Sequence, residues 1–254
     1  MPLALDIGNS TAVLARFGEG EEVRRLGMVE TSRLVRHPER TWARLAEMAE
    51  GVSGGGALSC VVPPLTSLAT EALARLGGEE PVVAGPLMDH GLHLRYKRPA
   101  ELGPDRIAGA VAGRAAADGG AVIVVDFGTA TTFSAVSAEG EFLGGAIAAG
   151  VLTAAEAVAR RGATLFEPDL RFTDRVIGRS TEECLRSGGL WGAVALADGM
   201  IERMKKEMGE ALTIATGGLA DLVAPRCGAV DLVDEDLTLK GLKLLYERNR
   251  KGCR

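Results

Sequence analysis

Two acidic turns carry the residue types best suited to chemistry in this chain. Asp6-Ile7-Gly8-Asn9-Ser10-Thr11 follows the apolar run Pro2-Leu3-Ala4-Leu5, and Asp126-Phe127-Gly128-Thr129-Ala130-Thr131-Thr132 follows Ala121-Val122-Ile123-Val124-Val125. Each reads as a buried strand that ends in a carboxylate and enters a glycine turn lined with hydroxyls and amides. A carboxylate at a strand end suits a hydrated cation, and the turn's backbone N–H groups and hydroxyls suit phosphate oxygens. Thr216-Gly217-Gly218 places a glycine pair at a strand-to-helix junction, where a flat base or a ribose can approach the backbone. Gly103-Pro104-Asp105-Arg106 delivers an acid and an arginine side by side at an expected helix start. Asp105 can cap that helix, or it can accept a proton from a hydroxyl attacking a phosphate. Arg106 can grip a carboxylate or a phosphate with its planar fork. Spacing by itself favours the cap.

Other chemistries lack their residues. There is no Gly-x-x-x-x-Gly-Lys-Ser/Thr, no Gly-x-Gly-x-x-Gly after a strand and no Gly-x-Ser-x-Gly elbow. His90 and His93 are close enough to share a metal, but no third ligand is nearby, so a loop with two solvated imidazoles is expected. The cysteines have no paired spacing, which argues against a zinc site or a disulfide framework. Cys60 and Cys184 read as core residues.

The elements that must position the acidic turns repeat along the chain. After each turn comes a second strand (Ala12 to Phe17, then Phe133 to Ser137) and a reversal at a glycine. Later, Ala57 to Val62 meets Pro63-Pro64 and a helix over Leu65–Leu76. Likewise Ala211 to Thr216 meets Gly217-Gly218 and a helix from Leu219. Matching surroundings in the same order indicate a duplicated α/β fold with a nucleotide between the halves. The expected lobes are residues 1–117 and 118–254. Further helices are expected over Ile107–Ala117, where Gly109 and Gly113 would admit a close helix neighbour, and over Val151–Arg161. Thr181–Met208 is expected to break at Ser187-Gly188-Gly189. Asp236–Asn249 is the clearest amphipathic helix, anchored by Leu237, Leu239, Leu242, Leu244 and Leu245.

Composition narrows the partners. A length of 254 residues is enough for two compact lobes, and a net charge of −5 argues against a general nucleic-acid binder. No apolar run is long enough to cross a bilayer and no leader pattern opens the chain, so a cytoplasmic protein without a membrane partner is expected.

With those residues in view, the chain resembles the type III pantothenate kinases over nearly its whole length. The resemblance rests on the two acidic turns, on Tyr96 through Pro99 to Gly103-Pro104-Asp105-Arg106, and on Gly144-Gly145-Ala146-Ile147. It rests also on Gly178-Arg179-Ser180-Thr181, Thr216-Gly217-Gly218 and Leu237-Thr238-Leu239-Lys240-Gly241-Leu242. It implies the duplicated fold of the sugar kinase, actin and heat-shock chaperone superfamily. The activity it implies is ATP-dependent phosphorylation of pantothenate, the first step toward coenzyme A. By the same resemblance Asp6, Ile7, Gly8, Asn9, Ser10, Thr11, Ala12 and Val13 form the first ATP phosphate loop, with Asp6 helping to place Mg²⁺. Thr129 matches a nucleotide contact, and Asp126 the ligand of a monovalent cation, K⁺ or NH₄⁺. Asp105 matches the proton acceptor. Tyr96, Gly103, Pro104, Asp105, Arg106 and Thr181 match the pantothenate site, with Arg106 a candidate for the carboxylate. A homodimer is implied, with the pantothenate pocket near the subunit interface. Two positions depart from the family pattern: Ala149 stands where a proline is usual, and Pro104 replaces a small residue beside Asp105. The rival expectations are a non-catalytic regulator on the same scaffold and a related kinase for another small hydroxy acid.

Overall fold

A computed structural model describes residues 1–18, 20, 23–161 and 170–250. They form two compact units, Met1–Ala116 with Gly140–Phe142 and Asp236–Arg254, and Ala117–Glu139 with Leu143–Glu235.

The first unit opens with β1 (Leu3–Ile7), β2 (Thr11–Arg16) and β3 (Arg24–Glu30), followed by helices α1 (Thr31–Arg36) and α2 (Pro38–Met48). Then come β4 (Gly56–Cys60), α3 (Pro63–Gly77), β5 (Val82–Val83), β6 (His93–Leu94) and α4 (Pro104–Ala116). Its sheet runs β3-β2-β1-β4-β5. β2 is antiparallel to β1 and β3, whereas β4 is parallel to β1 and β5. Leu3, Leu5 and Ile7 face a core with Leu14, Leu58, Leu65 and Leu73. Ala4, Ala15 and Ala57 face the other side, where small side chains let helices lie close.

The second unit carries β7 (Val122–Phe127), β8 (Ala130–Val136), β9 (Glu141–Ala149), α5 (Val151–Arg161) and α6 (Thr181–Met208). β10 (Leu212–Thr216), α7 (Ala220–Val223) and β11 (Leu232–Val233) follow. Its strands run β9-β8-β7-β10-β11, with β8 antiparallel to β7 and β10 parallel to both β7 and β11. This is the strand order of the first sheet again, so the sequence repeat is a repeat of topology. The Val122–Val125 run is buried throughout, as expected of a central strand covered on both faces.

The last helix, α8 (Leu237–Arg250), departs from the expected division at residue 118: it belongs to the first unit. Leu239, Leu242, Leu245 and Tyr246 fill the space over Ala4, Ala15, Phe17, Ala57 and Ala108, and the Phe17 and Tyr246 rings meet edge to face at 5.3 Å. α4 and α8 pack closely where Gly241 meets Ala108. A Cβ there would lie 2.0 Å from the Ala108 carbonyl oxygen. Arg248 and Asn249, at the end of α8, bond to Asp89. Residues 251–254 lie outside the described residues.

α6 is one unbroken helix where a break at Ser187-Gly188-Gly189 was expected. Burial of Ser187, Leu190, Val194, Ala197 and Ile201 outweighs a glycine cost of roughly 1 kcal/mol each. These two glycine environments have opposite consequences. Gly241→Val is expected to lower the thermal midpoint by several degrees, since overpacking costs roughly 1–3 kcal/mol or more. Gly188→Ala, with nothing within 4 Å of its Cβ, is expected to raise it slightly. Thermal melts of both variants check the contrast.

Two smaller expectations are corrected. His90 is buried and its Nδ1 accepts the Leu92 N–H at 3.1 Å, so it is not a solvated imidazole; burial also lowers its pKa. Cys184 is exposed, not core, because it lies near the open start of α6; the buried Cys227 thiol is pushed up to about 12. Among the described residues no helix is long and apolar enough to cross a membrane.

Candidate active site

The start of α4 is built around one carboxylate. Leu102 is buried and anchors the segment, and Pro104 supplies the fixed φ of a first helical residue. The Arg106 N–H donates to Asp105 Oδ1 at 2.8 Å, the kind of bond a helix-start acid makes. A Cβ on Gly103 would sit 2.4 Å from that same oxygen, so this position needs glycine for Asp105 to hold its orientation. Burial raises the Asp105 pKa above its usual 3.8, against the lowering effects of the Arg106 N–H and charge. Asp105 thus accepts a helix-start N–H, and burial raises its proton affinity.

The sign of this shift sets the pH response. A raised folded pKa makes the folded state hold the proton more tightly, so the stability linked to Asp105 is lost as pH rises through that pKa. A base works only when deprotonated, so turnover rises over the same interval. With Asp105 as the base, the acid limb of the kcat/KM profile is therefore expected above the ordinary aspartate value of 3.8. A limb at or below that value would contradict the placement.

Arg106 lies against two aromatic rings, 5.5 Å from the Phe142 centroid and 6.0 Å from that of Tyr96. Those rings meet edge to face at 6.1 Å. Parallel pairing of β6 with the first residues of β9 brings them together, and the Arg95 N–H donates to the Phe142 carbonyl at 3.0 Å. Arg95 Nε also bonds Glu141 at 2.8 Å. Phe142, a neighbour of Arg106, is one that the sequence reading did not single out. Its signal was an aromatic residue just after the Gly140 reversal, next to a glycine-rich strand.

The first acidic turn joins β1 to β2. Gly8 N–H donates to the Thr11 carbonyl at 2.9 Å, Thr31 Oγ1 to the Gly8 carbonyl at 2.7 Å, and Thr31 N–H to the Ser10 carbonyl at 2.9 Å. Thr31, also missed, therefore clamps the turn from α1. Ile7 and Ala12 are buried and fix the strands, Val13 is half-buried, and Asn9, Ser10 and Thr11 are exposed. Asp6 lies in register with Val13 on β2 and Ser59 on β4.

The second acidic turn joins β7 to β8. Asp126 is in register with Thr132 and with Thr216 of β10. Gly217 has φ +93°, and a Cβ there would lie 2.2 Å from Asp126 Oδ1; at Gly128 the corresponding distance is 3.2 Å. Glycines on two sides thus leave the carboxylate a cradle that side chains would fill. The Thr129 carbonyl accepts from Gly150 N–H at 3.2 Å and from Thr153 Oγ1 at 2.7 Å. A Cβ on Gly150 would sit 2.3 Å from the Gly128 carbonyl, so the end of the glycine-rich segment is pressed onto this turn. Ala149, at the family proline position, is exposed beside it. Thr181 stands exposed at the first position of α6, whose cap is Ser180 Oγ accepting from Glu183 N–H at 3.1 Å.

Asp6 to Val13, Tyr96 and Gly103 to Arg106 therefore belong to the first unit, and Asp126, Thr129 and Thr181 to the second. Among the described residues no group of three or more His, Cys, Asp or Glu could hold a metal by itself. Single strand-end carboxylates fit Mg²⁺ of the kind shared with substrate phosphates, which keeps several waters.

Comparison with known proteins identifies the family. Residues 2–203 match the family model described as type III pantothenate kinase. The type III pantothenate kinase of Moorella thermoacetica is 41% identical over 98% of this chain and 100% of its own length. Among solved structures, a Campylobacter jejuni protein described as a Baf family transcriptional activator superposes with a TM-score of 0.60 at 18% identity, covering 98% of this chain and 99% of its own. The ROK hexokinase of Thermus thermophilus gives 0.51 at 16% identity, covering 98% and 99%. At those identities the two structures speak for the fold, a duplicated sugar-kinase type. On the family match and the full-length relative together, the chain belongs to the type III pantothenate kinase family.

Proposed function

We propose that the protein transfers the γ-phosphoryl group of ATP to the terminal hydroxyl of pantothenate, with Asp105 as proton acceptor. The observation that carries this is the first turn of α4, which sets a carboxylate of raised proton affinity beside an arginine. Asp105 takes the hydroxyl proton as that oxygen forms its bond to phosphorus, and the bond from phosphorus to the ADP oxygen breaks with its electron pair leaving on ADP. Arg106 and Tyr96 hold the carboxylate end, Gly103 and Pro104 shape the floor, and Thr181 adds a substrate contact. The Asp6–Val13 turn offers N–H groups and hydroxyls to the ATP phosphates, and Thr129 makes a further nucleotide contact. Asp6, through water, is the residue to hold Mg²⁺, and Asp126 is the residue to hold K⁺ or NH₄⁺; when bound, these cations offset phosphate charge.

A homodimer in the cytoplasm completes the proposal. Exposed apolar residues of the second unit, among them Ile147 and Ile177, support the dimer, and the use of ATP supports the location.

An ADP-release assay with pantothenate and a panel of other small hydroxy acids, with and without K⁺, tests this reading. ADP formation that depends on pantothenate and K⁺ is expected. Turnover only with another acid would identify a related kinase, and ATP binding without ADP from any acid would identify a regulator on this scaffold.

A further inference from the structure

We propose that Phe142 is a positioning residue that sets the enzyme's preference for a carboxylate-bearing alcohol, by holding Arg106 against its own ring and that of Tyr96. This rests on the reading that Arg106 receives the substrate carboxylate. Three segments meet here: the start of α4, the stretch after β6 and, from farther along the chain, the first residues of β9. The guanidinium carbon lies 5.5 Å from the Phe142 centroid and 6.0 Å from that of Tyr96. A cation–π contact is made to the ring and uses none of the guanidinium's N–H donors, so it orients the fork without competing for the bonds a carboxylate makes. A long side chain with four rotatable bonds loses much freedom on binding unless something holds it beforehand.

Phe142 is itself held firmly. It is fully buried, its carbonyl accepts the Arg95 N–H at 3.0 Å, and it lies in register with Leu94. The residues flanking the two rings, Arg95 and Glu141, are tied to each other at 2.8 Å. The rings are therefore held by strand pairing, and Arg106 lies against them. Because Arg106 follows Asp105 on the same helical turn, this arrangement also sets the carboxylate end of the substrate relative to the base.

The test compares pantothenate with pantothenol, which carries a neutral hydroxyl in place of the carboxylate. Phe142→Leu is expected to lower kcat/KM for pantothenate by about tenfold, through KM, while pantothenol turnover and the KM for ATP stay within about twofold. Phe142→Tyr, which keeps a ring, should retain the preference. In an Arg106→Lys background, which has no planar fork for the rings to orient, Phe142→Leu should add no further loss of preference. Equal losses for both substrates would show a purely structural role and overturn the proposal. So would an unchanged preference in Phe142→Leu, or a full further loss in the Arg106→Lys background. Should Phe142→Leu fail to fold, the Phe142→Tyr and Arg106→Lys comparison decides by itself: a preference lost in Phe142→Tyr overturns the proposal. A parent enzyme that ignores the carboxylate would overturn the Arg106 reading as well.

Discussion

Replacing Asp105 with Asn should lower kcat by about 10² to 10⁴-fold while ATP still binds. The substitution preserves shape, and the amide oxygen can still accept the Arg106 N–H that Asp105 Oδ1 accepts at 2.8 Å, so the start of α4 survives. What is lost is the site that takes a proton. The buried carboxylate is penalised in its charged form, so removing the charge leaves the thermal midpoint unchanged or higher above the Asp105 pKa. Loss of turnover without loss of stability separates a base from a cap: a residue needed only for the helix would show the reverse. Steady-state rates, ATP titration by calorimetry and a thermal melt measure the three quantities. A variant turning over within a few-fold of the parent would remove Asp105 from the proton-transfer step.

Gly217→Ala should cost nearly as much, for a reason of space. Its Cβ would enter within 2.2 Å of Asp126 Oδ1 and 2.8 Å of the Phe127 nitrogen, both held by a central strand. The residue also has φ +93°, a conformation that alanine adopts only with strain of roughly 1–3 kcal/mol. The carboxylate must move, and a displacement of about 1 Å in an aligned site can cost roughly a hundredfold in rate. If Asp126 holds K⁺, activation by K⁺ should weaken in the same variant, with half-saturation shifted to higher salt. A titration of rate against K⁺ at fixed ATP reads this directly. An unchanged K⁺ curve would mean that Asp126 does not hold the monovalent cation.

The duplicated fold was legible because it is local and periodic. Asp6 and Asp126 each end a strand whose alternation or apolar run names it, and the glycine after each marks the turn. The strand-to-helix junctions at Pro63 and Gly217 are equally local signals. What remained hidden depends on packing between distant segments. α8 joins the first unit because Gly241 fits against Ala108 and its leucines cover Ala4, Ala15 and Ala57; no pattern within residues 236–249 names that partner. Ser187-Gly188-Gly189 looked like a break because propensity acts residue by residue, whereas burial of Leu190 and Val194 acts on the whole helix. At the site, the acids were readable as types at turns. The supporting residues were not: Phe142 reaches Arg106 only through the β6–β9 pairing, and Thr31 reaches Gly8 only because α1 begins beside the turn. The raised pKa of Asp105 likewise follows from burial, which neither Gly103 nor Pro104 announces.

The central claim is phosphoryl transfer to a specific hydroxyl, and mass spectrometry of the product tests it most directly. Incubation with ATP, Mg²⁺, K⁺ and pantothenate should convert pantothenate into a species heavier by one phosphoryl group, with fragmentation placing it on the terminal hydroxyl and ADP appearing in equal amount. Pantothenate recovered unchanged from a folded, ATP-binding protein would contradict the account.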